Sequence, residues 1–312
     1  MTDIRLRGVI APMVTPMHPD ETVDEGSARR LVRALLAAGV DGVWLLGTTG
    51  EFAALDTAER TRLVEVVCDE VAGRVPVVVN VSQPGTALAI RTGRDAVRAG
   101  ADGLAATPPF YYPHSAAEID GHYRALKEAH ADVPLFAYNI PQNVRPALEA
   151  GSVVVLAADG ILQGIKDSQN NLQWFRLVAD RTREAVGPDA FAMLLGTRTL
   201  VDVATAVGAH GVVPAMANVA PAACRRAFLQ PGAGARADID TISAYEQMTG
   251  HVVATSANAT AICAVKTALW HWGVIASPQV SAPLRPPRGD ALEALLTALS
   301  ALAPLTNPDG SP

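Results

Sequence analysis

The chain has 312 residues, a formal net charge of −6 and 49% hydrophobic residues, enough apolar material for a large core. No Lys/Arg run or basic stripe marks a nucleic-acid surface, and no apolar run reaches membrane-spanning length without Gly, Pro or charge. The three cysteines, Cys68, Cys224 and Cys263, are scattered, odd in number and without metal-ligand spacing, so a disulfide framework is not expected and a reduced, cytoplasmic setting is.

The segment Met1 to Arg7 is charged and short, without the apolar centre of a signal segment. Gly8 to Val14 reads as a first strand. Asp24 is placed to cap a helix that carries Leu31, Val32, Leu35 and Leu36 on one face. Gly42 to Leu46 is a second strand, running into Gly47-Thr48-Thr49-Gly50-Glu51, and Asp56 or Thr57 starts the next helix. Val75 to Asn80 is a third strand, apolar on both faces through Val77, Val78 and Val79, as strands covered on both sides are. The spacing then predicts a helix over 86–99, a strand over 103–107, a helix over 116–131, a strand over 134–138 and a helix over 147–158. A sixth strand runs through Gly160-Ile161-Leu162-Gln163 to Lys166. A helix over 172–182, a strand over 191–195, a helix over 199–207 and a strand over 211–213 complete the series.

Three helices end in nearly the same phrase: Ala38-Gly39-Val40-Asp41-Gly42, Ala99-Gly100-Ala101-Asp102-Gly103 and Val207-Gly208-Ala209-His210-Gly211. Each puts Gly where a helix C-terminus needs a left-handed residue, then a short loop into a strand. Eight strands with helices between them point to an α/β fold, a (β/α)8 TIM barrel, over residues 1–224. A doubly wound open sheet is the alternative, but no Gly-rich dinucleotide loop follows the first strand. After Pro221 the alternation stops. Helical segments over 238–251, 258–272 and 290–302 predict a C-terminal three-helix domain over 225–304, and residues 305–312 read as a disordered tail.

Barrel chemistry belongs at the C-terminal ends of the strands. Those positions are Thr48 and Thr49, Asn80, the loop from Pro108 to Pro113, Tyr138, Lys166, Gly196-Thr197-Arg198 and Val213. Lysine is almost never buried without a reason. An ammonium stripped of water at the end of an apolar strand gives up its proton more readily, and a neutral amine can attack a ketone to form a Schiff base. The plainer reading of Lys166 is a side chain that snorkels to the sheet edge or pairs with Asp167. Thr48 and Thr49 offer two hydroxyls and adjacent N–H groups that could cradle a carboxylate, or they merely satisfy a helix N-terminus. Tyr138 can relay a proton or simply hydrogen-bond a carbonyl.

In this order, Gly47-Thr48-Thr49-Gly50-Glu51, Tyr138-Asn139-Ile140-Pro141 and Gly164-Ile165-Lys166-Asp167 carry a specific likeness. The chain resembles the pyruvate-dependent lyase and aldolase family that includes dihydrodipicolinate synthase, N-acetylneuraminate lyase and 2-keto-3-deoxygluconate aldolase, over residues from about 8 to 300. The resemblance implies a barrel with a C-terminal three-helix domain in a homotetramer built as a dimer of dimers. It implies Lys166 as the residue that forms a covalent imine, Tyr138 as proton relay, and Thr48 and Thr49 as the carboxylate site, with the Thr48 hydroxyl in the proton chain. Tyr111, or Tyr112 if the aromatic loop is shifted by one, would cross the dimer interface. No metal or organic cofactor is implied, and the partners are pyruvate and an aldehyde. Where synthases of the family carry an arginine after Tyr-Asn-hydrophobic-Pro, this chain has Asn143, with Arg145 two residues on. The acidic residues of the neuraminate lyases are missing from Gly196-Thr197-Arg198. Gly196, Val213, Asn143 and Arg198 are candidates for substrate contact, and either Arg198 or Arg145 could read an anionic acceptor. Gly50-Glu51-Phe52 and Gly164 to Ser168 look more like the sugar-acid aldolase branch. The expected activity is a carbon–carbon lyase acting on a 2-keto-3-deoxy sugar acid. The alternatives are 4-hydroxy-tetrahydrodipicolinate synthase, N-acetylneuraminate lyase, a Schiff-base dehydratase or an idle barrel that only binds a 2-oxo acid.

Overall fold

A computed structural model describes residues 6–252 and 257–305. Most of the terminal segment Met1 to Arg7, and residues 306–312 of the expected tail, lie outside the described residues. Eight parallel strands close into one barrel in chain order: β1 (Gly8–Pro12), β2 (Gly42–Leu45), β3 (Val77–Asn80), β4 (Gly103–Ala106), β5 (Leu135–Asn139), β6 (Gly164–Asp167), β7 (Ala192–Leu195) and β8 (Gly211–Val212). The closed barrel is the predicted fold, and the open sheet is excluded.

Between the strands run α1 (Glu25–Ala37), α2 (Thr57–Val71), α3 (Thr86–Arg98), α4 (Ala116–Ala129), α5 (Ala150–Ala158) and α6 (Leu172–Val186). Their starts follow from local chemistry. The Asp24 carboxylate accepts the Ser27 N–H at 2.9 Å, Asp56 caps α2 through the Glu59 N–H, and Ser115 with Glu118 forms a capping box on α4. The glycines of the repeated phrase, Gly39, Gly100 and Gly208, all sit at positive φ.

The helix expected over 199–207 is absent. Only a 3₁₀ turn, Thr205–Val207, forms there. Every second residue from Thr199 to Val207 is β-branched, a pattern that suits extended chain better than helix, and Thr197 Oγ1 accepts the Leu200 N–H to hold a turn instead. The sixth strand is also shorter than expected at its start. Gly160, Ile161 and Leu162 close the end of α5 by hydrogen bonds back to Ala157 and Leu156.

Beyond the barrel lie α7 (Pro221–Leu229), α8 (Arg236–Met248), α9 (Ala257–His271) and α10 (Asp290–Leu299). α7 is continuous through positions 224 and 225 and packs on β1. Leu305, read as the first residue of the tail, is buried in the core.

Side chains alternate along each strand. Ile10, Trp44, Val78, Ala105, Phe136 and Leu194 form one cluster, separate from the larger core between strands and helices. Burying Phe136 alone contributes roughly 1.5–3 kcal/mol. Gly164 is dictated by this packing: a Cβ there would lie 2.6 Å from the Ala192 carbonyl oxygen and 2.8 Å from Phe136 Cδ1. Two residues later the same face of β6 presents Lys166. The register pairs Tyr138 on β5 with Lys166 on β6, so the two side chains stand next to each other at the barrel mouth.

Candidate active site

Lys166 is 4% exposed. Its Nζ lies 4.0 Å from the centroid of the Tyr138 ring and 5.1 Å from that of Trp44. Among the described residues no acidic side chain forms an ion pair with it. Neither plain reading holds: the side chain does not snorkel out, and Asp167 is not its partner. Asp167, the next residue on an alternating strand, faces the other way, where its Oδ1 accepts the Asn139 side-chain N–H at 2.7 Å.

Burial pushes the Asp167 carboxyl from its ordinary 3.8 up to about 7, against the Asn139 hydrogen bond that pulls it down. The folded state therefore holds a proton that the unfolded chain has already released between those two values. Stability contributed by this group is present at acid pH and is lost as pH rises from about 4 to 7, by at most about 1.4 kcal/mol per pH unit. Asp167→Asn should lose that slope. Urea midpoints of the two proteins across this window should converge toward low pH and diverge toward neutrality, with the variant the more stable. Parallel curves would contradict the assignment.

Above the lysine, Thr48 Oγ1 and the Tyr138 hydroxyl are 3.0 Å apart. Thr48 and Thr49 stand on the turn that follows β2. Together with Lys166 and Tyr138 they line a cavity of about 490 Å³. Asn143, Gly196, Arg198 and Val213 line it as well, so these candidate residues are brought together. Arg145 is exposed and is not part of the lining. Arg198 reaches the rim, but its Nη1 is 2.7 Å from Glu246 Oε1 on α8. Burial raises the Glu246 carboxyl above its ordinary value and Arg198 draws it back down.

Tyr111 does not line this cavity. It is 86% exposed, with φ at 83°, and its ring meets that of the less exposed Tyr112, also outside the lining, edge-on at 5.0 Å. A left-handed backbone is rare for an aromatic residue. Sequence reasoning missed Trp44, whose ring lies against the Lys166 amine, and the rim residues Gln142, Ser168 and Asn170. The rim residues lie just past strand ends already singled out, so a wider window would have found them. It also missed Ala261 and Ile262, which reach the cavity from α9. Nothing in a helix that is apolar and buried along most of its length says which of its residues face a distant site.

The model of the dihydrodipicolinate synthetase family matches residues 5–302. An uncharacterized DapA-like lyase of Halobacterium salinarum is 37% identical over 216 residues, 69% of each chain. A 4-hydroxy-tetrahydrodipicolinate synthase of Methanothermobacter thermautotrophicus is 35% identical over 227 residues, 72% of this chain and 78% of that one. Among solved structures, YagE, a prophage protein of the dihydrodipicolinic acid synthase family from E. coli K12 in complex with pyruvate, superposes with a TM-score of 0.85 at 25% identity, covering 95% of this chain and 98% of its own. With a match running over nearly its full length and relatives at this level of identity, the chain belongs to the dihydrodipicolinate synthetase family and is a carbon–carbon lyase.

Proposed function

We propose that the chain is a Schiff-base aldolase that joins or separates pyruvate and a neutral, hydroxyl-bearing aldehyde, so that its cleavage substrate is a 2-keto-3-deoxy sugar acid. The observation that carries this is the buried Lys166 amine, held against two aromatic rings with a phenol–hydroxyl pair beside it. Neutral Lys166 adds to the C2 carbonyl of the 2-oxo acid, and loss of water leaves a protonated imine. Tyr138 takes the proton of the C4 hydroxyl, the C3–C4 bond breaks, the aldehyde leaves, and the electron pair rests in an enamine. Protonation at C3 and hydrolysis release pyruvate and restore the amine. The imine is the electron sink, so the reaction as written calls for no metal or organic cofactor. Thr48 and Thr49 hold the carboxylate, and the Thr48 hydroxyl passes protons to and from Tyr138. The exposure of Tyr111 is what a side chain lent to a neighbouring copy would have. An apolar cavity of about 280 Å³ beside Thr48, walled by Phe52 and Phe110, has room to receive such a phenol in a dimer.

The acceptor side supports a neutral polyol. Its rim offers amides and hydroxyls from Gln142, Asn143, Ser168, Asn170 and Thr197, and Arg198 is already engaged by a carboxylate. The second reading, condensation of pyruvate with aspartate semialdehyde, is favoured by the name of the Methanothermobacter relative. Asn143 in place of an arginine argues against it.

A screen of pyruvate with neutral sugar aldehydes and with aspartate semialdehyde, read by product mass, decides between them. Product from glyceraldehyde-type acceptors supports the proposal, and product from the semialdehyde alone overturns it. On whichever acceptors react, Arg198→Ala should lower kcat/KM by similar factors, within about threefold of one another, since roughly 0.7 kcal/mol or less separates them. A loss confined to anionic acceptors would show that the guanidinium reads charge after all.

A further inference from the structure

The mechanism above leaves a second buried lysine unused. Lys266 on α9 is fully buried, and its Nζ is 2.6 Å from Glu51 Oε1. The other Glu51 oxygen accepts the Ser281 N–H at 2.7 Å. Glu51 itself has a left-handed backbone, φ 57°, a conformation a non-glycine residue keeps only where its surroundings impose it. Its N–H donates to the Thr48 carbonyl at 3.1 Å, and the neighbouring Gly50 carbonyl accepts the Thr15 hydroxyl at 2.7 Å. One carboxylate thus joins three pieces of chain: the threonine turn, α9, and the loop that follows α9.

Ile262 lies four residues before Lys266, on the same face of α9, and Ile262 and Ala261 are the part of this helix that lines the catalytic cavity. A buried ion pair is a poor device for stability alone, because apolar side chains of the same volume usually serve as well or better. What it provides is a fixed place for each partner.

We propose that the Glu51–Lys266 pair is a positioning device: it sets the Thr48–Thr49 turn, and the α9 wall carrying Ile262, at the distance from Lys166 that catalysis requires. Lys266 and Glu51 touch no reacting atom. They act through the turn, whose hydroxyl faces Tyr138 and whose N–H groups face the substrate carboxylate. The assignment rests on the Schiff-base reading of Lys166.

The test is the paired variant E51Q/K266M. It removes both charges, retains an acceptor for the Ser281 N–H and conserves volume. Three quantities are measured on the full-length protein: the melting temperature, the steady-state constants, and borohydride trapping of pyruvate on Lys166. A misplacement of about 1 Å can cost on the order of a hundredfold in rate. The variant is expected to melt close to the unaltered protein and to form the borohydride adduct at saturating pyruvate. The pyruvate concentration for half-saturation should rise, and kcat fall, each by about tenfold. Constants within about twofold of the unaltered protein, with the fold intact, would make the pair a structural feature only and overturn the proposal. Should the paired variant fail to fold, K266Q keeps a donor to Glu51 without the charge. It should shift both constants in the same direction by a smaller factor, and unchanged constants there overturn the proposal equally. If the unaltered protein gives no borohydride adduct, the Schiff-base reading falls and this one with it. An intact adduct with unchanged constants sinks the positioning role alone.

Discussion

Lys166→Met is expected to abolish turnover, by on the order of 10⁴-fold or more, while the protein stays folded and becomes more stable. The two halves of this expectation have one cause. Lys166 is 4% exposed and its Nζ lies against the rings of Trp44 and Tyr138, with no ion pair to an acidic side chain among the described residues. Methionine fills nearly the same volume with no group that needs water, so the substitution removes a desolvation cost without opening a cavity. The expected gain is on the order of 1 kcal/mol, in line with the general trade between stability and activity at such sites. The amine is the only group in the proposed scheme that bonds to the substrate, and neither Tyr138 nor the threonines can replace it. The measurement is intact mass after borohydride reduction with pyruvate, alongside a thermal melt. The unaltered protein should gain one reduced pyruvyl adduct, located on Lys166 by peptide mapping. The variant should gain none and melt higher. An adduct that persists in the variant would move the imine to another amine and dissolve the site as described.

Much of this site could be read before any coordinates. The run of Val77, Val78 and Val79 and the three Gly phrases, two ending helices and one ending a 3₁₀ turn, made the barrel legible, because burial on both faces and left-handed glycines leave marks in local sequence. The lysine could be picked out because a cation ending an apolar strand contradicts its surroundings. Asp167 could have been set aside as its partner at once, since adjacent residues on a strand face opposite ways. Other features were hidden for physical reasons. That Tyr138 and Lys166 pair across β5 and β6 is a matter of register, which no single strand encodes. The engagement of Arg198 by Glu246 is invisible in the local sequence because that carboxylate arrives from a helix outside the barrel. Glu51 and Lys266 are 215 residues apart, and each alone looks like an ordinary charged residue. The stretch from Thr199 to Val207 follows the alternation of strands and helices in its place along the chain, but its own alternating β-branched residues oppose a helix.

The pairing of Tyr138 with Thr48 leads to the other large effect. Tyr138→Phe should lower kcat by about 10²–10⁴, the range for loss of a positioned acid–base group. It should leave borohydride trapping intact, because the ring that packs over the Lys166 amine is retained and only the hydroxyl is lost. Thr48→Val removes the other end of the same 3.0 Å hydrogen bond. If the two hydroxyls act as one relay, a proton that cannot pass through the phenol gains nothing from the threonine. The double variant should then be hardly worse than Tyr138→Phe alone, a strongly non-additive result. If instead each hydroxyl contacts the substrate independently, the losses multiply. The comparison is informative because both side chains line one cavity, and valine and phenylalanine each conserve shape while deleting a single oxygen. Multiplicative losses would leave Lys166 as the imine-forming residue but would take Thr48 out of the proton path, reducing it to a holder of the carboxylate beside Thr49.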